Sequence, residues 1–237
     1  MPARLSKDDI HDLKHVAVLD RRNRPSRRSD SQLLVALTLP QVLRRASEGA
    51  LIIDGRPPSV FAQGHIEGSI NMPLHEPFGD VLRTILAENG SRIVLVVDEG
   101  AERNSVRFLA RHGFKKVLGN LSNPAAALED YPCSAETSPT LTPESFETGK
   151  SALLRMQLLD MRRPGEQSTG TIPDAIDVPV EQLVASAKRL DPKVPTVMFC
   201  CSGERSSLAS SFLRHAGFRA VFELEGGFNR WQALNAS

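Results

Sequence analysis

The sequence predicts an α/β protein made of two copies of one unit, each a mostly parallel sheet flanked by helices on both faces. Three observations lead to this fold class. A pattern of residues repeats at a constant offset, strands alternate with helices inside each copy, and a buried strand turns directly into a helix near residue 200. Such alternation is typical of parallel sheets with right-handed crossovers.

An internal repeat relates residues 52–73 to residues 158–179. The two stretches share aspartate, arginine, glycine and proline at matching positions, namely Asp54 with Asp160, Arg56 with Arg162, Gly64 with Gly170, and Pro73 with Pro179. Further on, FLARHGFKKV (108–117) matches FLRHAGFRAV (212–221), and each predicts a helix end, a glycine cap and a new strand. We interpret the chain as an internal duplication.

The elements of the first copy follow one another in a regular order. They are predicted as the strand LIID, the irregular segment GHIEGSINMP, a helix in EPFGDVLRTILAE, the buried strand RIVLVV, a helix near 103–112 and the strand KKVLG. In the second copy a buried strand covers Val197 to Phe199. Apolar residues recur at helical spacing from about Ser206, and Gly217 is expected to form a left-handed cap.

Four segments are predicted along the chain. The copies occupy residues 36–132 and 141–237, and the linker 133–140 lies in a stretch rich in proline, serine and threonine. Residues 1–35 match neither copy and are interpreted as a partly flexible N-terminal extension. Their basic run RRNRPSRRSDS is typical of a solvated segment rather than of a nucleic-acid-binding arm.

Composition narrows the function classes. The chain has 29 basic and 28 acidic side chains, so no global field favours nucleic acid or an anionic membrane as a partner. It contains no apolar run of about 20 residues, the length that spans a bilayer. The first residues, MPARLSKDDIHDLKH, lack the apolar core of a secretion signal, and the predicted location is cytoplasmic.

Three cysteines, Cys133, Cys200 and Cys201, cannot form a disulfide framework, and their spacing from the histidines matches no zinc pattern. No metal site is predicted. Cys200 and Cys201 lie at a strand-to-helix turn, where backbone N–H groups and the helix dipole stabilise an anion, including a thiolate. The alternative is that both are small buried apolar residues.

Three motifs occur in a fixed order: DxR followed by GHIxGSINMP, the loop CxxGxRS from Cys200 to Ser206, and LEGGFNRW at 224–231. Together they resemble the rhodanese family of sulfurtransferases in tandem form, over about residues 36–237. The resemblance implies two rhodanese-like domains and a persulfide carried on Cys200. It places the substrate-binding loop at Cys201, Ser202, Gly203, Glu204, Arg205 and Ser206.

Single residues of this loop are expected to have distinct roles. Gly203 permits a tight turn, Ser206 caps the helix, and Arg205 offers a cation to an oxyanion donor. For Arg205 the alternative is a salt bridge to Glu204 or to a carboxylate elsewhere. Asp160 and Arg162 are expected to be scaffold, and no metal or organic cofactor is required.

The two copies differ at the loop. The first copy has Asp98 about where the cysteine is expected and two fewer residues before the helix, so we expect it to be catalytically silent. The second copy has Thr171 where the first has His65, and we expect that position to be structural.

The implied activity is transfer of a sulfane sulfur from thiosulfate or a related small anionic donor to cyanide or a thiol, including a protein thiol. No nucleic-acid or membrane partner is expected. One alternative is a cysteine phosphatase or arsenate reductase, but those enzymes place five residues between cysteine and arginine, and only four separate Cys200 from Arg205. The other is a non-enzymatic regulatory or sulfur-relay module.

Overall fold

A computed structural model describes residues 34–89, 92–150 and 156–236. The predicted N-terminal extension, with its basic run, falls outside these residues except for its last two. From Val35 onward the chain lies beside the strand at 117–121, where Leu37 donates its N–H to Asn120 O at 2.8 Å and Asn120 donates to Val35 O at 2.9 Å. Ala36 forms the isolated parallel bridge between these two hydrogen bonds.

The first half alternates helices and short strands. Its elements are α1 Leu39–Ser47, β1 Leu51–Asp54, α2 Pro58–Gln63, β2 His65–Ile66, β3 Ile70–Asn71, α3 Gly79–Asn89, β4 Ile93–Val96, α4 Glu102–Arg111, β5 Val117–Leu121 and α5 Pro124–Asp130. Four of the strands form a parallel sheet in the order β3-β1-β4-β5. This half therefore has the parallel α/β organisation that the repeat predicts.

The second half repeats the plan. Its elements are β6 Ala135–Glu136, β7 Thr140–Leu141, α6 Pro143–Lys150, β8 Gln157–Asp160, β9 Ile176–Asp177, α7 Leu183–Ala187, β10 Thr196–Phe199, α8 Glu204–His215, β11 Val221–Leu224 and α9 Gly227–Asn235. Short 3-10 turns cover Pro132–Ser134, Glu166–Thr169 and Val180–Gln182. Five strands form a parallel sheet in the order β7-β11-β10-β8-β9, and the predicted fold class is confirmed.

The segment between the copies contributes a strand to each side. β6 pairs antiparallel with β2 of the first half, and β7 pairs parallel with β11 of the second half. Only residues 137–139 separate these two strands. Residues of the predicted linker thus form strands that pair with each half.

Apolar side chains of both halves form one shared core. Ile70 and Met72 of the first half belong to the same buried cluster as Met161, Met198 and Leu208 of the second. Each sheet also has a separate cluster on its other face, one under α1 and α5 and one under α6 and α9. The two halves therefore pack as one hydrophobic unit.

Helix α8 lies at the junction of the halves. The serines Ser206, Ser207, Ser210 and Ser211 are all buried, and Ser207 and Ser211 contact the first half. Ser207 Oγ donates to Asn71 Oδ1 at 2.8 Å, and Asn71 N donates to Ser211 Oγ at 2.9 Å. A helix buried on its polar face needs such partners, since an unpaired buried hydroxyl costs free energy.

Asn71 also bonds within its own half. Its Nδ2 donates to the carbonyl oxygens of Asp54 at 3.0 Å and Arg56 at 2.9 Å. One buried amide thus joins the end of β1, the loop after it and the serine face of α8.

Replacing Asn71 with alanine is expected to lower the free energy of unfolding by about 2–3 kcal/mol, because Ser207 Oγ and two carbonyl groups lose their buried partner. Urea denaturation measures the change. Asn104→Ala is the matched control, because Asn104 is exposed on α4 and should change stability by less than about 0.5 kcal/mol. Equal stabilities for the two variants would contradict this account of the junction.

Candidate active site

Cys200 lies at the end of strand β10, just before helix α8. The residue is 1% exposed and belongs to the shared core. Gly203 N donates to Cys200 Sγ at 3.1 Å, and Ser206 Oγ lies 3.5 Å from the same sulfur. The sulfur therefore faces the N-terminus of a 12-residue helix, where the helix dipole has its positive end.

The turn between strand and helix depends on Gly203. This residue has φ +87° and stands immediately before the first helical residue, Glu204. Left-handed backbone of this kind favours glycine, and the predicted tight turn is confirmed.

The predicted capping role of Ser206 is wrong. Helix α8 begins two residues earlier, with Gly203 at the N-cap position, so Ser206 already lies in the first helical turn. Its hydroxyl donates to Gly203 O at 3.1 Å instead of accepting a backbone N–H. A side-chain cap requires a residue in extended backbone just outside the helix, and Ser206 has no such position.

The paired glycines of LEGGFNRW hold the other side of the turn. A Cβ atom on Gly227 would lie 1.9 Å from Cys200 O, and Gly227 has φ +59°. The next residue, Phe228, donates its N–H to Cys200 O at 3.0 Å. The segment 227–228 therefore packs directly against the backbone of Cys200, and position 227 has no room for a side chain.

Arg205 forms a salt bridge with a carboxylate elsewhere in the chain, the alternative that the sequence left open, and its partner, Glu166, was not identified from the sequence. Its Nη2 donates to Glu166 Oε1 at 2.9 Å, and its Nη1 contacts Glu166 Oε2. The guanidinium lowers the pKa of Glu166 to about 2. The same carboxylate raises the pKa of Arg205.

Glu166 could not be found through the internal repeat. It lies in the 3-10 turn Glu166–Thr169, and the repeat offset places Val60 at the matching position of the first copy. The available signal was its spacing, four residues after Arg162 on the loop that follows β8.

Cys201 occupies a different environment from its neighbour. It is partly exposed, and its Sγ lies 3.5 Å from Glu166 Oε1. Burial and the Glu166 carboxylate both raise the pKa of the Cys201 thiol. The environment of Cys201 therefore disfavours its thiolate form.

An open cleft of about 530 Å³ lies beside the loop. Both halves contribute to it, and the lining residues are Pro77, Phe78, Arg163, Pro164, Gly165, Glu166, Ser202, Glu204 and Arg205. One contact at the rim of the cleft joins the two halves, since His75 Nε2 of the first half lies 3.0 Å from Glu204 Oε1 of the second. Carbonyl and carboxylate neighbours raise the pKa of His75, first Glu76 O and then Glu204.

Asp160 and Arg162 lie inside the second half as a scaffold. Both are buried, and Arg162 Nη2 reaches Asp160 Oδ2 at 2.6 Å and Gly170 O at 2.8 Å. The guanidinium also stacks 3.9 Å from the ring of Phe228. Thr171 Oγ1 donates to Asp160 at 2.9 Å, so the threonine that replaces histidine completes this scaffold.

His65, the counterpart of Thr171 in the first half, is also structural. It is buried, stacks on Phe61 with ring centroids 3.7 Å apart, and its Nδ1 lies 2.8 Å from Phe61 O. Neither member of this pair approaches the cleft, whose lining residues are others.

The strand registers identify the first-half counterpart of Cys200. Asp54 lies opposite Val96, and Asp160 lies opposite Phe199. The next residues are Val97 and Cys200, so the predicted equivalence of Asp98 with Cys200 is wrong by one position. The loop sequences alone do not determine which residues correspond, whereas the pairing of β1 with β4 and of β8 with β10 does.

The predicted loop length was also wrong. Residues 98–101 precede α4, whereas residues 201–203 precede α8, so the first loop is one residue longer rather than two residues shorter. Asp98 is exposed and matches Cys201, while Val97 is buried. A valine cannot attack sulfur, so the first half lacks a nucleophile at this position.

Among the residues that the structure describes, no cluster of three or more histidine, cysteine, aspartate or glutamate side chains is arranged to hold a metal ion. None of the helices in this part of the chain has the length and apolar character needed to cross a membrane.

The fold and site define a tandem α/β protein with a single cysteine cradle, located in the second half. The chain belongs to the rhodanese-like domain family, whose model matches it twice, at residues 38–123 and 142–234.

Several curated relatives align over about a third of the chain. The uncharacterized protein YqhL of Bacillus subtilis is 34% identical over 92 residues, 39% of this chain and 71% of that protein. A protein named sulfurtransferase from Allochromatium vinosum is 34% identical over 31% of this chain and 69% of its own length. The thiosulfate sulfurtransferase GlpE of Shewanella oneidensis is 32% identical over 34% of this chain and 80% of its own length.

Substituting Gly227 with alanine is expected to lower the free energy of unfolding by about 2 kcal/mol or more, because the new methyl group collides with Cys200 O and the backbone is left-handed. Urea denaturation gives the value. Gly217→Ala is the control, because Gly217 has φ +92° but open space around it and should lose only about 1–2 kcal/mol. A Gly227→Ala protein as stable as Gly217→Ala would show that the contact is not restrictive.

Proposed function

We propose that the protein is a sulfurtransferase that carries a sulfane sulfur as a persulfide on Cys200. The observation that carries this proposal is the position of Cys200 Sγ, which accepts the Gly203 N–H at the N-terminus of α8. The printed names of two relatives, a sulfurtransferase and a thiosulfate sulfurtransferase, support the same class of reaction.

The reaction is a double displacement. The Cys200 thiolate attacks the outer sulfur of thiosulfate, an S–S bond forms to the cysteine, and the S–S bond of the donor breaks with its electron pair leaving on sulfite. An acceptor thiolate or cyanide then attacks the outer sulfur of the persulfide, and Cys200 leaves as the thiolate. Each step exchanges one bond to sulfur for another, so no external oxidant, metal or cofactor is needed.

The loop is suited to hold sulfur rather than phosphate. We propose that the backbone N–H groups from Cys201 to Arg205 surround the outer sulfur, with Ser202, Gly203 and Glu204 shaping the cradle and Ser206 Oγ facing its base. The four residues between Cys200 and Arg205 make a smaller loop than the phosphatase class requires. The sulfurtransferase proposal therefore fits the loop better than oxyanion hydrolysis does.

The first half is proposed to be catalytically silent and to act as a wall of the site. Val97 replaces the nucleophile there, while Pro77 and Phe78 line the cleft. We place the copies at 36–132 and 141–237 around the 133–140 segment, and the protein in the cytoplasm, where a reducing environment keeps Cys200 and Cys201 as thiols.

Intact mass after incubation with thiosulfate tests the proposal. The wild type and Cys201→Ser should each gain one sulfur atom that cyanide removes as thiocyanate. Cys200→Ser should gain none, because its hydroxyl cannot carry a sulfane sulfur under these conditions.

The two cysteine variants are matched controls for each other, since they differ by one position in the same loop. An adduct retained by Cys200→Ser and lost by Cys201→Ser would move the nucleophile to Cys201. Rapid hydrolysis of an aryl phosphate that Cys200→Ser abolishes would assign the protein to the phosphatase class instead.

A further inference from the structure

The Arg205 guanidinium is already engaged by a carboxylate of its own chain. Both terminal nitrogens of Arg205 contact Glu166, one on each carboxylate oxygen. Glu166 is held in place independently, because Arg163 N donates to its Oε2 at 2.7 Å. The carboxylate is therefore held beside the arginine by a backbone N–H as well as by the guanidinium.

The other charged side chains on the cleft are also compensated. The lining carries two arginines and two glutamates. Besides the Glu166–Arg205 pair, Arg163 Nε contacts Glu181 Oε1 at 3.0 Å and Glu204 Oε1 contacts His75 Nε2 at 3.0 Å. Among the described residues that line the cleft, no arginine stands free to receive an anion.

We infer that Glu166 is a specificity-determining residue, which competes with the sulfonate end of an anionic donor for Arg205 and so selects against dianionic donors. The inference takes its reaction class from the proposed function. A carboxylate and a sulfonate accept the same pair of N–H groups from a guanidinium. Binding a sulfonate at Arg205 therefore requires the loss of the Glu166 pair, and the net gain is small.

The competition persists across ordinary assay conditions. The pKa of Glu166 is lowered to about 2 from its usual 4.5, so the carboxylate remains ionised at any pH well above 2. The pair contributes stability above pH 4.5 and loses it only as the pH falls towards 2. Lowering the pH to a value that is still well above 2 does not release Arg205 from Glu166, so a substitution is needed to release it.

The test compares anion binding in a background that cannot react. In Cys200→Ser, calorimetric titration with thiosulfate at constant ionic strength measures the donor site alone. Adding Glu166→Gln should tighten thiosulfate binding by about fivefold to tenfold, because a competing charge-assisted pair is replaced by a neutral amide. If Glu166 only positioned Arg205 for the donor, the same substitution would weaken binding.

A charge series and a matched control separate competition from a general field. Methanethiosulfonate is a monoanion that offers the same outer sulfur, so its gain from Glu166→Gln should be about twofold to threefold, smaller than that of dianionic thiosulfate. Asp177→Asn removes one negative charge beside the same turn, where Asp177 Oδ1 accepts from Gln167 Nε2 at 2.9 Å. It should change thiosulfate affinity by less than about twofold.

Unchanged or weaker thiosulfate binding in Glu166→Gln overturns the inference, as does an equal gain in Asp177→Asn. Persulfide formation, followed by intact mass in proteins that retain Cys200, reports separately on the proposed function. Tighter binding without any sulfur adduct would support anion competition at Arg205 and refute the transferase, whereas an adduct without tighter binding would refute Glu166 alone.

Discussion

Burial of residues 206–213 of helix α8 is the constraint on which the rest of the structure depends. The helix must present its N-terminus to Cys200 Sγ, and both sheets pack around it to form one core. Its apolar residues belong to the core shared by both halves, while Ser207 and Ser211 face the first half. Cys200 thus lies at the start of a helix that the second half alone does not cover.

The two halves share the buried scaffold of the duplication and differ at the loop that contains Cys200 in the second half. The buried aspartate and arginine form the same bonds in both, with Arg56 reaching Gly64 O and Arg162 reaching Gly170 O. At the strand ends, however, Val97 occupies the position in the first half that Cys200 occupies in the second. The buried aspartate and arginine depend on each other in both halves, because loss of either partner would leave an uncompensated buried charge.

Much of the fold could be predicted because strand and helix periodicity and the repeat agree with each other. The loop around Cys200 was likewise visible as a contiguous motif. Glu166 was not, because its counterpart Val60 carries no charge and the contact with Arg205 joins residues 39 positions apart. The one-residue error at Asp98 has a similar origin, since the pairing of β1 with β4 fixes the register and a loop comparison cannot reveal it.

The strands β6 and β7 have a consequence for how this protein can be divided. The family matches end at residue 123 and resume at 142, which suggests two portable modules. Yet β6 completes a pair with β2, β7 completes the second sheet, and the serine face of α8 needs Asn71. Separated from the first half, the second half would leave Ser207 and Ser211 of α8 without Asn71, so in this chain the two family matches do not mark independent structural units.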